Sequence, residues 1–484
     1  MKPPALRAAQ ALTLLLKTLP QSARYAVVLR DGRACDVALA NLLLHHRSDN
    51  KPLLFAPQRE AHLLRAANPS CQSLIHTITP DNRAPLRPYA AAAIHHQVSH
   101  LAVGTTRLER AVTAVTSISA NPICGDASTG IEMLPKGTLT FHEPLSTVDH
   151  ATICSTVHEN VPPEYNRTAD PTFMPPQLIP AALQLADQKK SSLQLLQHQS
   201  DDLLRNSVLE TSHWGYIVAR TDMLYEKFNS GRASRLAVIH AMQRMCLHVS
   251  GSAKPLSLDE PQVNRLCEAV FKPSADGDMR ALPKGRTAAG VVLRPATGRF
   301  ARRLRTGNDH LMMLTREPDH DTPSLFSTRL RGNYACAPLH EQQPVYWDNR
   351  FVMHAAPIST LDTEAPQLSA QRVFEAALRP MSQHKQQMAD CTLYIRQLRR
   401  SDWDLMTSVS NRVRQFHTPF ECIRALPVVF QKKAGSRATG DLVASPHLGL
   451  SARPDLYFMA VRLPRFRCLP DDIDPGFTAG QFDT

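Results

Sequence analysis

Along the chain, apolar and polar positions fall into two regimes. Up to about residue 180, short apolar runs alternate with stretches whose apolar residues recur at helical spacing. That alternation predicts β-α units and a parallel sheet with helices on both faces. The predicted strands are Tyr25 to Leu29, Pro52 to Phe55, Leu74 to Thr77 and His100 to Gly104. The first leads through a polar turn holding Asp31, Gly32 and Arg33 into Val37-Ala38-Leu39-Ala40-Asn41-Leu42-Leu43-Leu44, whose spacing predicts a helix. Between Pro162 and Pro180 the chain holds six prolines, which break regular structure and mark a boundary.

Beyond the boundary, Ala181 to about Arg205 contains neither Gly nor Pro and reads as a connecting helix, and further helices are expected around Leu236 to Ile239 and Val263 to Val270. From about residue 285 short strands alternate with turns, and Gln367 to Arg400 carries helical patterning broken at Pro380. The expected organisation is a parallel-sheet α/β domain over residues 1–180, a helical connector over 181–280 and an α+β region over 281–484. There is no internal repeat and no run approaching the roughly 18 apolar residues that a membrane span needs, so no membrane partner is expected.

Composition narrows the partners. The 484 residues hold 55 Lys and Arg against 43 Asp and Glu, a net charge of +12, which favours a polyanion such as RNA through phosphate neutralisation and counterion release. A basic soluble protein without such a partner has the same balance. The 19 glycines are few against about 7% in average proteins, which fits a chain with few turns that let a phosphate approach the backbone. Ten scattered cysteines form no C-x-x-C pair, so free buried thiols in a reducing compartment are expected. His45 with Asp49, and His96 with His100, share helical spacing, yet two ligands fall short of a closed site and no metal site is read. The first thirty residues carry five Lys or Arg and no acid. That suits an organellar import sequence or an amphipathic helix ahead of the first strand, leaving a bacterial cytoplasm and a mitochondrial or other organellar matrix both open. Nothing in the sequence sets an oligomeric state.

A strand, a turn with glycine and a helix N-terminus offer backbone N–H groups to phosphate, although a plain β-α unit with nothing bound has the same frame. Here the frame resembles the opening of the tRNA(Ile)-lysidine synthetases, a branch of the PP-loop ATP pyrophosphatases. Their turn, S-G-G-x-D-S, falls on Asp31, Gly32, Arg33, Ala34, Cys35 and Asp36, of which only Gly32 matches. Their second signature, G-H-x-x-D-D-Q-x-E-T, falls on Gly104 to Thr113, where Gly104 and Thr113 match and Glu109 keeps the charge of the second Asp. Ala169 to Phe173 resembles the loop before the family's paired arginines, with Pro175 and Gln177 in the arginine positions. Downstream, Thr287 to Arg294, Leu311 to Pro318 and Trp347-Asp348-Asn349-Arg350-Phe351 resemble the strand pairs and W-D-G-R-F element of α-proteobacterial members. Leu426 to Phe430, Leu442 to Gly449 and Phe466 to Phe477 resemble their closing strands.

The resemblance implies a PP-loop, Rossmann-like sheet, ATP and Mg2+ as cofactors, and tRNA as partner, with tRNA contacts in the 181–280 region. It also implies a ligase that adenylates the wobble cytidine and then lets free lysine displace AMP. The nucleotide would lie on Asp31, Gly32, Arg33, Ala34, Cys35, Asp36 and Gly104, with Glu109 as the surviving catalytic acid. Physical chemistry pulls the other way. Asp31 and Asp36 place negative charge where phosphate belongs, Arg33 fills the space of a second Gly, and Cys35 stands at the magnesium-binding carboxylate. Two functions follow as alternatives: an RNA-binding protein whose ATP chemistry is reduced or lost, or an active ligase using substituted groups. For RNA, the expected surface is the cluster Arg294, Arg299, Arg302, Arg303 and Arg305, which as a solvated basic strand and turn would need no ligand.

Overall fold

The computed structural model describes residues 24–30, 34–45, 51–67, 69–79, 87–96, 98–106, 139–145, 148, 179–212, 214–250, 261–271, 286–288, 290–296, 302, 304, 310–317, 337–339, 345–348, 350–357, 393–409, 420–432, 440–448, 450–453, 455–462, 468–470 and 472–473. These fall into two compact units, the first ending at Gln194 and the second beginning at Leu195.

The first unit is built on strands β1 (Tyr25–Val28), β2 (Leu53–Pro57), β3 (Ile75–Ile78), β4 (His100–Val103) and β5 (Thr140–His142) with helices α1 (Ala34–His45), α2 (Gln58–Ala67) and α3 (Arg87–His95). The strands run in the order β3-β2-β1-β4-β5, and every neighbouring pair is parallel. In the middle sits β1, with Val27 opposite Leu54 on one side and Ala102 on the other. Ala26, Val27 and Val28 are fully buried, as expected for a parallel strand covered on both faces, which explains a run without polar alternation. Strand order reverses at β1, so the gap between the ends of β1 and β4 is the switch point of the sheet. Packed against the sheet, α1 buries Val37, Ala38, Leu39, Ala40, Leu43 and Leu44. Tyr89 of α3 closes the same edge by donating its hydroxyl to the Leu29 carbonyl at 2.7 Å.

The second unit follows the long helix α4 (Ile179–Ser207), within which the division falls. Its first sheet has the order β6-β7-β10-β9-β8, from β6 (Val208–Thr211), β7 (Ile217–Arg220), β8 (Arg286–Ala288), β9 (Val291–Pro295) and β10 (Leu311–Arg316). Helices α5 (Asp222–Asn229), α6 (Arg232–Ser250) and α7 (Pro261–Phe271) lie between β7 and β8 in sequence, and α6 is buried continuously from Ala241 to Ser250. Then come β11 (Ala337–Pro338), β12 (Val345–Trp347), β13 (Phe351–Pro357), β14 (Leu393–Gln397), α8 (Arg400–Val409), α9 (Phe420–Ile423), β15 (Pro427–Lys432), β16 (Gly440–Ser445), β17 (Leu450–Ser451) and β18 (Leu456–Arg462). These strands make the antiparallel sheets β11-β14-β15-β16-β17 and β12-β13-β18. One apolar core, including Trp214, Met313, Trp347, Phe351, Ile395 and Val429, joins residues of all three sheets.

Two stretches depart from the expected pattern. Strands β6 and β7 lie within residues 181–280, where a helical connector is expected, and Leu393–Gln397 is a strand inside the Gln367 to Arg400 stretch of helical patterning. Four- and five-residue apolar runs do not distinguish helix from strand by periodicity, and β7 is fixed by β10, about ninety residues away. Of Phe466 to Phe477, residues 468–470 and 472–473 are described, and they form turns and loop rather than a strand.

Two of the buried polar nodes in the second unit hold groups with shifted pKa values. Asp348, in the turn between β12 and β13 with φ of 50°, receives the Arg350 Nε at 2.8 Å and the Arg316 Nη2 at 3.2 Å, and both arginines are 2% exposed. Burial pushes the Asp348 carboxyl up, but the Arg316 and Arg350 charges outweigh it and hold the group below its usual value. The second node links α4 to α6: Arg244 contacts Asp201 at 2.6 Å, bonds Ser200 Oγ and donates to the Cys468 carbonyl, while His240 Nδ1 lies 3.0 Å from Ser200 Oγ. Burial first, and the Arg244 charge second, lower the His240 pKa to about 3.

These nodes set two acid-sensitive windows. Because His240 stays neutral in the fold while the unfolded chain protonates near 6.5, stability is expected to fall as pH drops from there toward about 3. Asp348 adds a second loss, below the ordinary carboxylate value near 3.8, as pH falls through its lowered folded pKa. Trp214, Trp347 and Trp403 all lie in the second unit, so tryptophan fluorescence in urea reports on it. The His240→Gln variant should show a shallower stability profile between pH 6.5 and 4; a profile identical to the parent would contradict this. At pH 7, Asp348→Ala should lose about 3–5 kcal/mol, the penalty for stranding two buried guanidiniums.

Candidate crossover site between β1 and β4

At the switch point the chain leaves β1 at Arg30 and enters α1, whose first turn carries Cys35 and Asp36. Opposite them β4 ends and is followed by Gly104, Thr105 and Thr106, with Thr105 8% exposed and Thr106 fully buried. Asp36 is itself fully buried, and its carboxylate is the centre of the site. Oδ2 accepts the Arg30 backbone N–H at 3.0 Å and the Arg30 Nε at 2.7 Å. Oδ1 accepts the Arg30 Nη2 at 2.9 Å and the Gly104 N–H at 2.8 Å. A carboxylate has about four lone-pair positions, and four donors occupy them.

Gly104 makes this geometry possible. A Cβ at residue 104 would stand 2.4 Å from the Cys35 carbonyl oxygen, 2.6 Å from its carbon and 2.7 Å from the Asp36 Cα. The end of β4 therefore lies directly against the first turn of α1, and only a residue without a side chain lets it do so. The positive end of the helix dipole is already answered by the chain's own carboxylate, with Arg30 as counter-ion.

The sequence-predicted residues divide into three sets. Asp36 and Gly104 are brought into direct contact, and Cys35, 1% exposed and outside any disulfide, lies beside them. Ala34 opens α1, and Arg294 lies partly buried in β9 while Arg302 is exposed. Asp31, Gly32, Arg33, Glu109, Arg299, Arg303 and Arg305 lie outside the described residues, as do Pro175, Gln177 and the segment from Ala169 to Phe173. A metal has little to hold here. Cys35 offers a soft thiol where Mg2+ prefers hard oxygen, and the oxygens of Asp36 are committed to other donors. Among the described residues no group of three or more His, Cys, Asp and Glu is placed to bind a metal, and no helix is long and apolar enough to cross a membrane.

Sequence reasoning weighed Asp36 as a charge facing a phosphate and passed over Arg30, its partner. The missed signal was spacing. At a second strand-to-helix crossing, Asp402 in the first turn of α8 accepts Arg396 Nη1 at 2.5 Å, Arg396 Nη2 at 2.9 Å and the Arg399 backbone N–H at 2.9 Å. Both crossings place an arginine at the strand end six residues before an aspartate that is the third residue of the helix. Such a fork is bidentate and charge-assisted, and it satisfies a helix start without any ligand.

Overpacking tests the contact. Gly104→Ala is expected to destabilise the first unit by about 1–3 kcal/mol or more, because the clash is with backbone on both sides. The tryptophan-free first unit should then unfold at lower urea by circular dichroism while the fluorescence transition of the second stays in place. A circular dichroism transition unmoved by the methyl group would show that β4 and α1 are not in contact.

No protein-family model matches the chain, and no curated protein sequence matches it.

Proposed function

We propose that this chain is a divergent protein of the tRNA(Ile)-lysidine synthetase type that binds tRNA or another structured RNA and has lost ATP chemistry at the crossover. The observation that carries the reading is the Asp36 carboxylate, saturated by Arg30 and Gly104 at the position where a nucleotide phosphate would sit. Supporting it are the parallel sheet of order β3-β2-β1-β4-β5 and a helix start at its switch point, the frame on which nucleotide-binding domains are built. To bind there, a triphosphate must displace a buried carboxylate of the same charge and separate β4 from α1. Removing one electrostatic group from a catalytic site typically lowers the rate by roughly 10²–10³, and this chain has Cys35, Leu108 and Val112 where the family has acids. Several such losses together leave no measurable turnover.

RNA binding rests on different ground. The chain carries an excess of twelve positive charges, and at two of its strand-to-helix crossings an acid, Asp36 or Asp402, is paired with an arginine. Arg302 is exposed, within the five-arginine cluster of residues 294–305. Phosphate contacts of this kind give an affinity that falls steeply with salt, each contact adding close to one to the slope of log K against log salt.

Two measurements separate the parts of the proposal. Calorimetry with ATP and Mg2+ should give no saturable heat, and tRNA incubated with ATP and labelled free lysine should take up no label. Label at a wobble cytidine that disappears in Glu109→Ala would establish the ligase instead. In the binding assay, charge reversal of Arg302 and Arg303 to Glu should weaken tRNA binding at low salt and flatten the salt slope by about two. Unchanged tRNA affinity in that variant would remove this surface from the account.

A further inference from the structure

We propose that His100 and His142 form a two-imidazole clip for a divalent transition-metal cation across β4 and β5. In the parallel register His100 lies opposite Thr140 and Ala102 opposite His142, so both histidines project from the same face of the sheet. The His100 Nδ1 and His142 Nε2 atoms converge to 3.0 Å, with ring centroids 5.2 Å apart and planes inclined by 31°. Two nitrogens each about 2.0–2.1 Å from a shared metal, at an angle between square and tetrahedral, are themselves about 2.9–3.3 Å apart. The observed separation falls in that range with no movement of the strands.

The protonation state also suits a ligand. Burial lowers the pKa of His100, and burial followed by the charge of His100 lowers that of His142. Both rings are therefore neutral at pH 7, the form in which imidazole binds metal. Without metal, one ring donates its facing N–H to the other. With metal, that ring carries its proton on the distal nitrogen instead, so both facing lone pairs become available and no net proton is released. Helical spacing pairs His96 with His100, whereas in the structure the His96 ring lies tilted against His76, centroids 4.0 Å apart, and His100 has a partner forty-two residues further on.

Among the described residues no third His, Cys, Asp or Glu joins the pair, so water would fill the remaining positions and the ion would exchange. Imidazole selects Zn2+, Ni2+ and Cu2+ over Mg2+ and Ca2+. A bound ion would tie the three-residue edge strand β5 to the interior of the sheet.

Equilibrium dialysis with Zn2+ alone at pH 7.5 tests the clip. The parent chain should bind one more Zn2+ than His142→Asn at the same free concentration, and Mg2+ should show no such difference. Equal stoichiometry would overturn the proposal. If His142→Asn fails to fold, carbethoxylation of the parent chain read by mass spectrometry decides. Zn2+ should slow modification of His100 and His142 together at least tenfold and leave His198, 72% exposed on its side chain, unaffected. Modification of the pair at the same rate with and without Zn2+ would equally overturn it.

Discussion

The crossover of the first unit turns on the buried charge of Asp36. Placing the Asp36 carboxylate in the interior is costly unless every lone pair is met, and it is met by three donors of Arg30 and the amide of Gly104. Those bonds fasten the end of β1, the start of α1 and the end of β4 at a single point, where strand order reverses. Helix start, sheet edge and charge balance are satisfied together. The same bonds occupy the hydrogen-bonding capacity of Asp36 at this edge, and the proposed loss of ATP chemistry is drawn from that commitment.

A related economy of charge organises the second unit. Asp348 draws Arg316 and Arg350 into the interior, and the guanidinium donors left over go to backbone carbonyls, Gly290 for Arg316 and Ala425 for Arg350. Arg350 nonetheless has its pKa lowered to about 10, because burial and the nearby Arg316 and Arg462 charges outweigh a single carboxylate. It still carries its charge at neutral pH, so the node holds more positive than negative charge. This node takes two arginines and one acid out of solvent, so the proposed RNA partner rests on the chain's net charge of +12 and not on the node.

In the first unit β1 to β4 were legible as short apolar runs in order, the first three each followed by its own helix, whereas the three-residue edge strand β5 was not. Tyr25 to Val28 announced a strand buried on both faces, and Val37 to Leu44 a helix packed on it. Strands β6, β7 and β14 were not legible, since each is a short run fixed by its pairing: β7 by β10 about ninety residues on, β14 by β15, and the edge strand β6 by its neighbour β7. At the crossover, Gly104 was picked out by motif, yet its reason is steric and became visible only when the Cys35 carbonyl was seen 2.4 Å from its missing Cβ. Arg30 was overlooked because nothing local marks it; only the repeat of its spacing to Asp36 in Arg396 and Asp402 shows the pattern.

The central claim, that the chain's own carboxylate occupies the anion position of the crossover, is tested most directly by hydrogen exchange at the Gly104 amide. If Asp36 Oδ1 holds that N–H, the amide exchanges slowly, its rate is the same with and without ATP and Mg2+, and Asp36→Ala releases it. A Gly104 amide that exchanges freely in the parent chain, and becomes protected only when ATP and Mg2+ are added, would show that the position is open and would contradict the account.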